Sequence, residues 1–156
     1  MTLCAQIAML SELTKDLMSR ILPRAFLKWA GGKGRMIGHV LPLMPEKINI
    51  YYEPFIGGGA VFFELVRQGK FMKAVVGDLN SELINTYLIV KNQPDELVSE
   101  LNNGSYKYDK KNYLRIRAIK TVTLSDVERA ARVIFLNRTC FTPGSLVLME
   151  NETMKP

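Results

Sequence analysis

Hydrophobic and polar positions alternate in some segments of the chain and recur every three or four residues in others. Ile48, Ile50 and Tyr52 alternate with polar or aromatic neighbours, which predicts a β-strand. The run "KAVVGD", residues 73–78, predicts a second strand that is short and buried. Between them "AVFFELVRQ" predicts a helix that Gly69 stops. A strand, a helix and a strand in this order form a βαβ unit, so the sequence predicts an α/β fold with a parallel sheet.

The segments on either side of this unit are predicted to be helical. Residues 1–23 form an N-terminal extension with apolar residues at helical spacing, namely Leu10, Leu13, Leu17 and Ile21. Residues 24–46 contain a Gly-rich turn followed by a helix, which Pro42 and Pro45 bring to an end.

Residues 92–141 are predicted to be helical throughout, with a break at "NNGS". Pro94 begins one helix, and Ser125 with Glu128 three positions later has the pattern of a capping box that begins another. One face of this last helix is apolar and is predicted to be core rather than a ligand pocket; it comprises Val127, Ala130, Ala131, Ile134 and Phe135.

Composition indicates a globular protein, and its net positive charge suits polyanionic binding partners. The 156 residues are 47% hydrophobic and 23% charged, with a formal net charge of +6. Nucleic acid or an anionic surface would suit this charge, although a merely basic protein has it too. Cys4 and Cys140 are too few for a disulfide framework and lack zinc-site spacing, so we expect a reducing cytoplasm and no metal. No apolar run reaches membrane-spanning length, and we expect neither a signal peptide nor a membrane partner.

The stretch "YYEPFIGGGAVFF", residues 51–63, places three glycines directly after the first predicted strand. Such a loop lies at the carboxyl edge of the sheet, where α/β folds bind ligands against bare backbone N–H groups. The nicotinamide fingerprint requires a third glycine where Phe62 stands, and a P-loop requires Ser or Thr where Gly34 stands. A dehydrogenase or a kinase is therefore disfavoured.

Asp78 ends the second predicted strand. In dinucleotide-type folds an acidic side chain ~20 residues after the glycines reaches the ribose hydroxyls, and Asp78 stands close to that position. Spacing alone is equally compatible with a tight turn and an aspartate that caps a helix. The glycines and Asp78 together leave a nucleoside ligand and a purely structural turn both open.

Four ordered motifs resemble the DNA adenine methyltransferase (Dam) family. They are "FLKWAGGK" at 26–33, "YYEPFIGGGAVFFEL" at 51–65, "GDLNSELINTY" at 77–87 and "RAARVIFLNRTCF" at 129–141. Members of this family move a methyl group from S-adenosylmethionine (SAM) to the exocyclic amine of adenine in DNA. The resemblance implies a Rossmann-like SAM-dependent methyltransferase fold, with an incomplete parallel sheet here, and a helical target-recognition segment.

The resemblance also implies roles for individual residues. The positions that match the family's SAM-contacting motifs are Trp29, Lys33, Glu53, Pro54, Phe55, Gly57 and Asp78. Lys28 and Arg138 match positions near the DNA. Independently of the family, residues 106–120 interleave tyrosines with cations that can neutralise phosphates, and those predicted to contact duplex DNA are Lys110, Lys111, Arg115 and Arg117. A solvated basic helix face would show the same pattern.

The resemblance divides the chain into the extension 1–23, a SAM-binding part 24–91, the start of the target-recognition domain 92–141, and a divergent tail 142–156. The family's catalytic Asp-Pro-Pro-Tyr motif is not found, because none of the seven prolines adjoins another, and no residue is nominated as catalytic. We therefore expect a shortened adenine methyltransferase that needs its catalytic half from another chain or fragment. The alternative is a catalytically inactive SAM- or DNA-binding fragment, and the target sequence is not predicted.

Overall fold

The computed structural model describes residues 22–29 and 33–140, and helix α1 (Ile37–Val40) is the first helix in this part of the chain. Short 3₁₀ turns, Lys33–Met36 and Leu41–Leu43, flank it. Pro42 lies at the start of the second turn, where its missing N–H removes no helical hydrogen bond. The predicted helix is thus present but irregular. The predicted helix in residues 1–21 and the tail from residue 141 lie outside the described residues.

The predicted βαβ unit is confirmed. Strand β1 (Ile48–Glu53) leads through helix α2 (Ala60–Arg67) to strand β2 (Phe71–Val76), and the strands pair in parallel from Ile48 opposite Phe71 to Glu53 opposite Val76. Gly69 follows α2 with a φ of 61°, a left-handed conformation that glycine adopts without steric cost at a helix end.

The prediction that the second strand is buried is wrong. Met72 is 86% exposed and Val75 56% exposed, although both are large and apolar. Among the described residues the sheet has only these two strands, and the helices pack mainly on one another rather than on the sheet. Apolar periodicity identified the strand correctly, but burial depends on layers that must come from elsewhere in a fold.

In the described part of the chain four helices follow residue 80, and three of them confirm the helices predicted in 92–141, although a 3₁₀ turn at Thr121–Thr123 interrupts this segment in addition to the break at "NNGS". The four helices are α3 (Ser81–Asn92), α4 (Pro94–Asn102), α5 (Lys110–Ala118) and α6 (Asp126–Thr139). Polar side chains cap the first turns of α3 and α5: Asn80 accepts from the backbone N–H of Leu83, and Asp109 accepts from that of Asn112. The predicted capping box of Ser125 and Glu128 is present at the start of α6. None of the helices that the structure describes has the length and hydrophobicity of a membrane span.

Helix α6 lies at the centre of the helical packing, against α3, α4 and α5. Its predicted apolar face is confirmed as core: Ala130 and Ala131 are fully buried, Phe135 is buried, and Val127 and Ile134 pack against buried clusters. One core cluster combines residues from the beginning, the middle and the end of the described part of the chain, namely Leu27, Ile56, Leu83 and Val133. Residues on both sides of position 92 therefore share a core, and a domain boundary there remains a prediction.

A partly buried ion pair joins α3 to α6. Arg129 Nε lies 3.0 Å from Oε1 of Glu82, and its Nη1 lies 3.0 Å from Oδ1 of Asp126. The hydrogen bonds that Arg129 donates to Glu82 raise the pKa of its guanidinium further above its usual range, so Arg129 keeps its charge. The side chain of Asn85 also donates to the backbone carbonyl of Asp126. These contacts fix the first turn of α6 against α3.

Candidate functional site

Both strands end at the same edge of the sheet, and the loops that follow them are hydrogen bonded to each other. The backbone N–H of Gly77 donates to the carbonyl of Glu53 at 2.9 Å, and the N–H of Ile56 donates to the carbonyl of Gly77 at 2.8 Å. The glycine loop therefore lies at the carboxyl edge, as the sequence predicted, and Asp78 lies beside it.

Two kinds of constraint require glycine at the three positions of the loop. Gly57 and Gly59 have positive φ angles of 53° and 74°, which other residues adopt only with strain. A Cβ on Gly58 would lie 2.7 Å from the carbonyl oxygen of Leu27 and 3.3 Å from the Cβ of Trp29. Side chains are thus excluded from this loop by backbone conformation and by the segment that packs on it.

Hydrogen bonds hold the peptide groups of Gly57 from two sides. Its N–H donates to Oδ2 of Asp78 at 2.9 Å, and its carbonyl accepts from the hydroxyl of Tyr87 at 2.9 Å. Burial, followed by the charges of Glu53 and Asp78, raises the pKa of Tyr87, so the hydroxyl remains a donor at neutral pH. Sequence reasoning did not single out Tyr87, although it ends the "GDLNSELINTY" motif; only the fold shows that it reaches the loop 30 residues earlier.

Replacing Tyr87 with phenylalanine is expected to lower the free energy of unfolding by about 1 kcal/mol, the usual net contribution of one hydrogen bond. The ring remains to pack on Phe26 and Phe63, so only the bond to the Gly57 carbonyl is lost. Urea unfolding monitored by circular dichroism measures the change. Tyr108→Phe is the matched control, because Tyr108 is 82% exposed, and an equal effect of both substitutions would contradict the assignment.

Lys33 and Glu53 form the other polar part of the site. The Lys33 Nζ donates to Glu53 Oε1 and to the Phe55 carbonyl, both at 2.9 Å, and the hydroxyl of Tyr51 donates to the second oxygen of Glu53 at 3.0 Å. Glu53 is only 5% exposed, so these bonds compensate a buried carboxylate. Burial and Glu53 raise the pKa of Tyr51, which therefore stays protonated. Lys33 thereby connects the first motif to the end of β1.

A cleft of about 560 Å³ lies beside these groups and is of a size typical of cofactor sites. Five of the predicted cofactor residues line it, namely Trp29, Lys33, Phe55, Gly57 and Asp78. The other two lie apart from its lining: Glu53 is buried behind Lys33, and Pro54 is exposed beside Gly77. Residues far apart in sequence thus converge on one cleft, with an aromatic wall, a cation and a carboxylate.

Asp78 still has capacity to bind a ligand. Its Oδ2 accepts from Gly57 and its Oδ1 accepts from the N–H of Asn80 at 3.1 Å. An ionised carboxylate has about four acceptor positions, so roughly two remain for the hydroxyl groups of a ligand that enters the cleft. The same side chain can thus order the glycine loop and accept hydrogen bonds from a ligand.

The predicted DNA-contacting residues fall into two groups. Lys110, Lys111, Arg115 and Arg117 are all exposed on α5, and they differ in their hydrogen bonds. Arg115 is engaged locally, since its Nη2 donates to the Ser105 carbonyl at 2.8 Å and its Nε to Oδ1 of Asn112 at 3.0 Å. Arg115 therefore holds the loop before α5, which sequence periodicity could not reveal.

Lys28 and Arg138 are brought together by a residue that sequence reasoning did not single out. Asn137 is 1% exposed; its Oδ1 accepts from the backbone N–H of Lys28 at 2.9 Å, and its Nδ2 donates to the Lys28 carbonyl at 2.7 Å. Both neighbouring cationic side chains are exposed. A buried polar residue in an apolar helix face was the available signal, but its partner lies 109 positions away.

The chain is similar in sequence to known methyltransferases. The chain is 45% identical over 142 residues to the Type II methyltransferase M1.LlaDCHI of Lactococcus lactis subsp. cremoris, covering 88% of this chain and 49% of that protein. It is 36% identical over 133 residues to the Type II methyltransferase M.MjaIII of Methanocaldococcus jannaschii, covering 76% and 46%. It is 31% identical over 142 residues to a DNA adenine methylase of Haemophilus influenzae, covering 85% and 46%.

The chain spans about half the length of these curated relatives. The family described as "D12 class N6 adenine-specific DNA methyltransferase" matches residues 29–154, a range that continues past Phe141, where the motif resemblance ends. This match covers most of the chain and includes every residue that lines the cleft except Ala25 and Leu27. The chain therefore belongs to the D12 class of N6 adenine-specific DNA methyltransferases.

Proposed function

We propose that this chain is the SAM-binding part of a site-specific adenine DNA methyltransferase with a Rossmann-like fold. The observation that carries the proposal is the convergence of Trp29, Lys33, Gly57 and Asp78, from separate motifs, on one cleft at the carboxyl edge of a parallel sheet. Ligands of open α/β folds bind at this edge. The complete reaction would transfer a methyl group from SAM to the exocyclic amine of adenine in duplex DNA.

The residues of the cleft fit the parts of SAM. Asp78 has acceptor positions for the ribose hydroxyls, and the bare backbone at Gly57 allows close approach of the methionine part. Trp29 and Phe55 supply aromatic surface, and Lys33 supplies a cation near the end of β1. When bound, SAM supplies an activated methyl group; the residues described here bind and orient it.

The groups that would polarise the adenine amine are proposed to come from another chain or fragment. Such polarisation needs acceptors placed at the amine of a base that has been flipped out of the duplex. The Asp-Pro-Pro-Tyr motif that provides them in the family is not found in this sequence. The exposed apolar side chains of Met72 and Val75 support completion of the sheet by further structure.

We expect the 156-residue chain to bind SAM saturably without transferring methyl groups to DNA. Isothermal titration calorimetry measures the first, and transfer of a labelled methyl group into unmethylated duplex measures the second. Trp29→Ala is expected to weaken SAM binding because it removes one wall of the cleft. Absence of saturable binding would contradict the cofactor assignment, whereas turnover by the chain alone would contradict the need for a second part.

A second candidate function is DNA binding without catalysis, favoured by the exposed cations of α5. Each phosphate neutralised by a protein cation changes the slope of log Kobs against log salt by about −0.9. The triple replacement of Lys110, Lys111 and Arg117 by alanine is therefore expected to flatten that slope by up to about 3. Arg115→Ala is the matched control, since its hydrogen bonds are local, and an equal change of slope would contradict the distinction.

A further inference from the structure

Hydrogen bonds between the buried side chain of Asn137 and the backbone of Lys28 hold a segment that belongs to no strand or helix among the described residues. Residues 22–29 lack regular secondary structure, so the backbone N–H and carbonyl of Lys28 have no ladder partner. The side chain of Asn137 satisfies both groups, at 2.9 Å and 2.7 Å. The Asn137 amide thus provides both hydrogen bonds that a neighbouring strand would provide in a sheet.

The residues on either side of Lys28 lie against the glycine loop. Leu27 is 5% exposed and belongs to the core cluster. The ring of Trp29 lies so close that a Cβ on Gly57 would be 3.0 Å from its Cδ1. The segment 27–29 is thus enclosed between the glycine loop on one side and the last turn of α6 on the other.

We propose that Asn137 is a positioning residue that holds Trp29 in place as a wall of the cofactor cleft. Two observations carry this: both hydrogen bonds from Asn137 go to the residue next to Trp29, and Asn137 is almost completely buried, so water cannot replace it. The consequence for SAM rests on the proposed function, but the placement of the indole does not. Through Asn137, which lies 109 residues after Lys28 in the sequence, the shape of the cleft depends on α6.

Trp29 reports on its own placement, because it is the only tryptophan in the chain. Asn137→Leu, which removes both hydrogen bonds at similar volume, is expected to shift the indole emission to longer wavelength and to increase its quenching by acrylamide. In the same variant the Kd for SAM is expected to rise about tenfold. Arg138→Ala is the matched control, since Arg138 lies in the same helical turn with an exposed side chain, and it should leave the emission unchanged.

A second variant keeps the proposal testable if the first fails to fold. In Asn137→Asp, a protonated carboxyl can accept from the Lys28 N–H and donate to its carbonyl, whereas the ionised form cannot donate. Emission and quenching are therefore expected to be close to wild type near pH 5 and altered near pH 8, since burial raises a carboxyl pKa. The wild-type chain over the same pH range controls for Lys28, Arg138 and Cys140, the ionisable residues that flank or contact the pair.

Wild-type emission and quenching in folded Asn137→Leu, with no pH response in Asn137→Asp, would overturn the proposal. Circular dichroism and thermal melting establish that each variant is folded. If the wild-type chain fails to bind SAM, the proposed function fails, but the fluorescence comparison still decides the role of Asn137. If SAM binds and the indole is unaffected by the variants, only the positioning role fails.

Discussion

Asp78→Ala is expected to weaken SAM binding by about 3 kcal/mol, which corresponds to roughly a hundredfold rise in Kd. The substitution removes the acceptors for the N–H groups of Gly57 and Asn80, so the glycine loop loses a support on its cleft side. It also removes the acceptors proposed for the ribose hydroxyls. Both losses weaken the binding of SAM, and calorimetric titration with SAM measures their combined effect on the Kd.

A matched control separates the site from a general effect of losing a carboxylate. Asp109 accepts from the N–H of Asn112 at the start of α5, a bond that resembles that of Asp78 with Asn80. Asp109→Ala is expected to cost about 1 kcal/mol of stability through the lost cap while leaving SAM binding unchanged. If Asp78→Ala bound SAM as tightly as wild type, the cleft would not be the cofactor site.

Gly58→Ala is expected to have the second largest effect. The added methyl would lie 2.7 Å from the Leu27 carbonyl oxygen, and this obstacle is backbone held in the core, so it cannot rotate away. Overpacking of this kind costs about 2 kcal/mol. Because Trp29 adjoins the same methyl position, we expect weaker SAM binding together with a lower Tm, measured by calorimetry and thermal melting.

Gly38→Ala is the control for this substitution. Gly38 lies in helix α1, and a Cβ there would meet nothing within 4 Å. Alanine is favoured over glycine in a helix by up to about 1 kcal/mol, so this variant should be unchanged or slightly more stable. Equal losses of stability in Gly38→Ala and Gly58→Ala would show that close packing against residues 27–29 is not the reason why position 58 requires glycine.

The sequence predicted those features whose cause is local. The βαβ unit follows from hydrophobic periodicity, the stop at Gly69 from a positive φ, and the capping box from the spacing of Ser125 and Glu128. The location of the glycine loop at the carboxyl edge of the sheet also followed, because the loop comes directly after a strand of a parallel pair. These predictions required only neighbours in sequence and one rule of sheet geometry.

Only the tertiary structure decided which side chains act across the fold. Tyr87 and Asn137 reach backbone groups 30 and 109 residues away, and Arg115, which is predicted to contact DNA, also donates to the loop before its own helix. The exposure of β2 likewise depends on which layers cover the sheet, not on the strand's own residues. Periodicity shows which face of an element is apolar. It does not show which distant polar groups will contact that element, and the cleft at the carboxyl edge depends on such contacts.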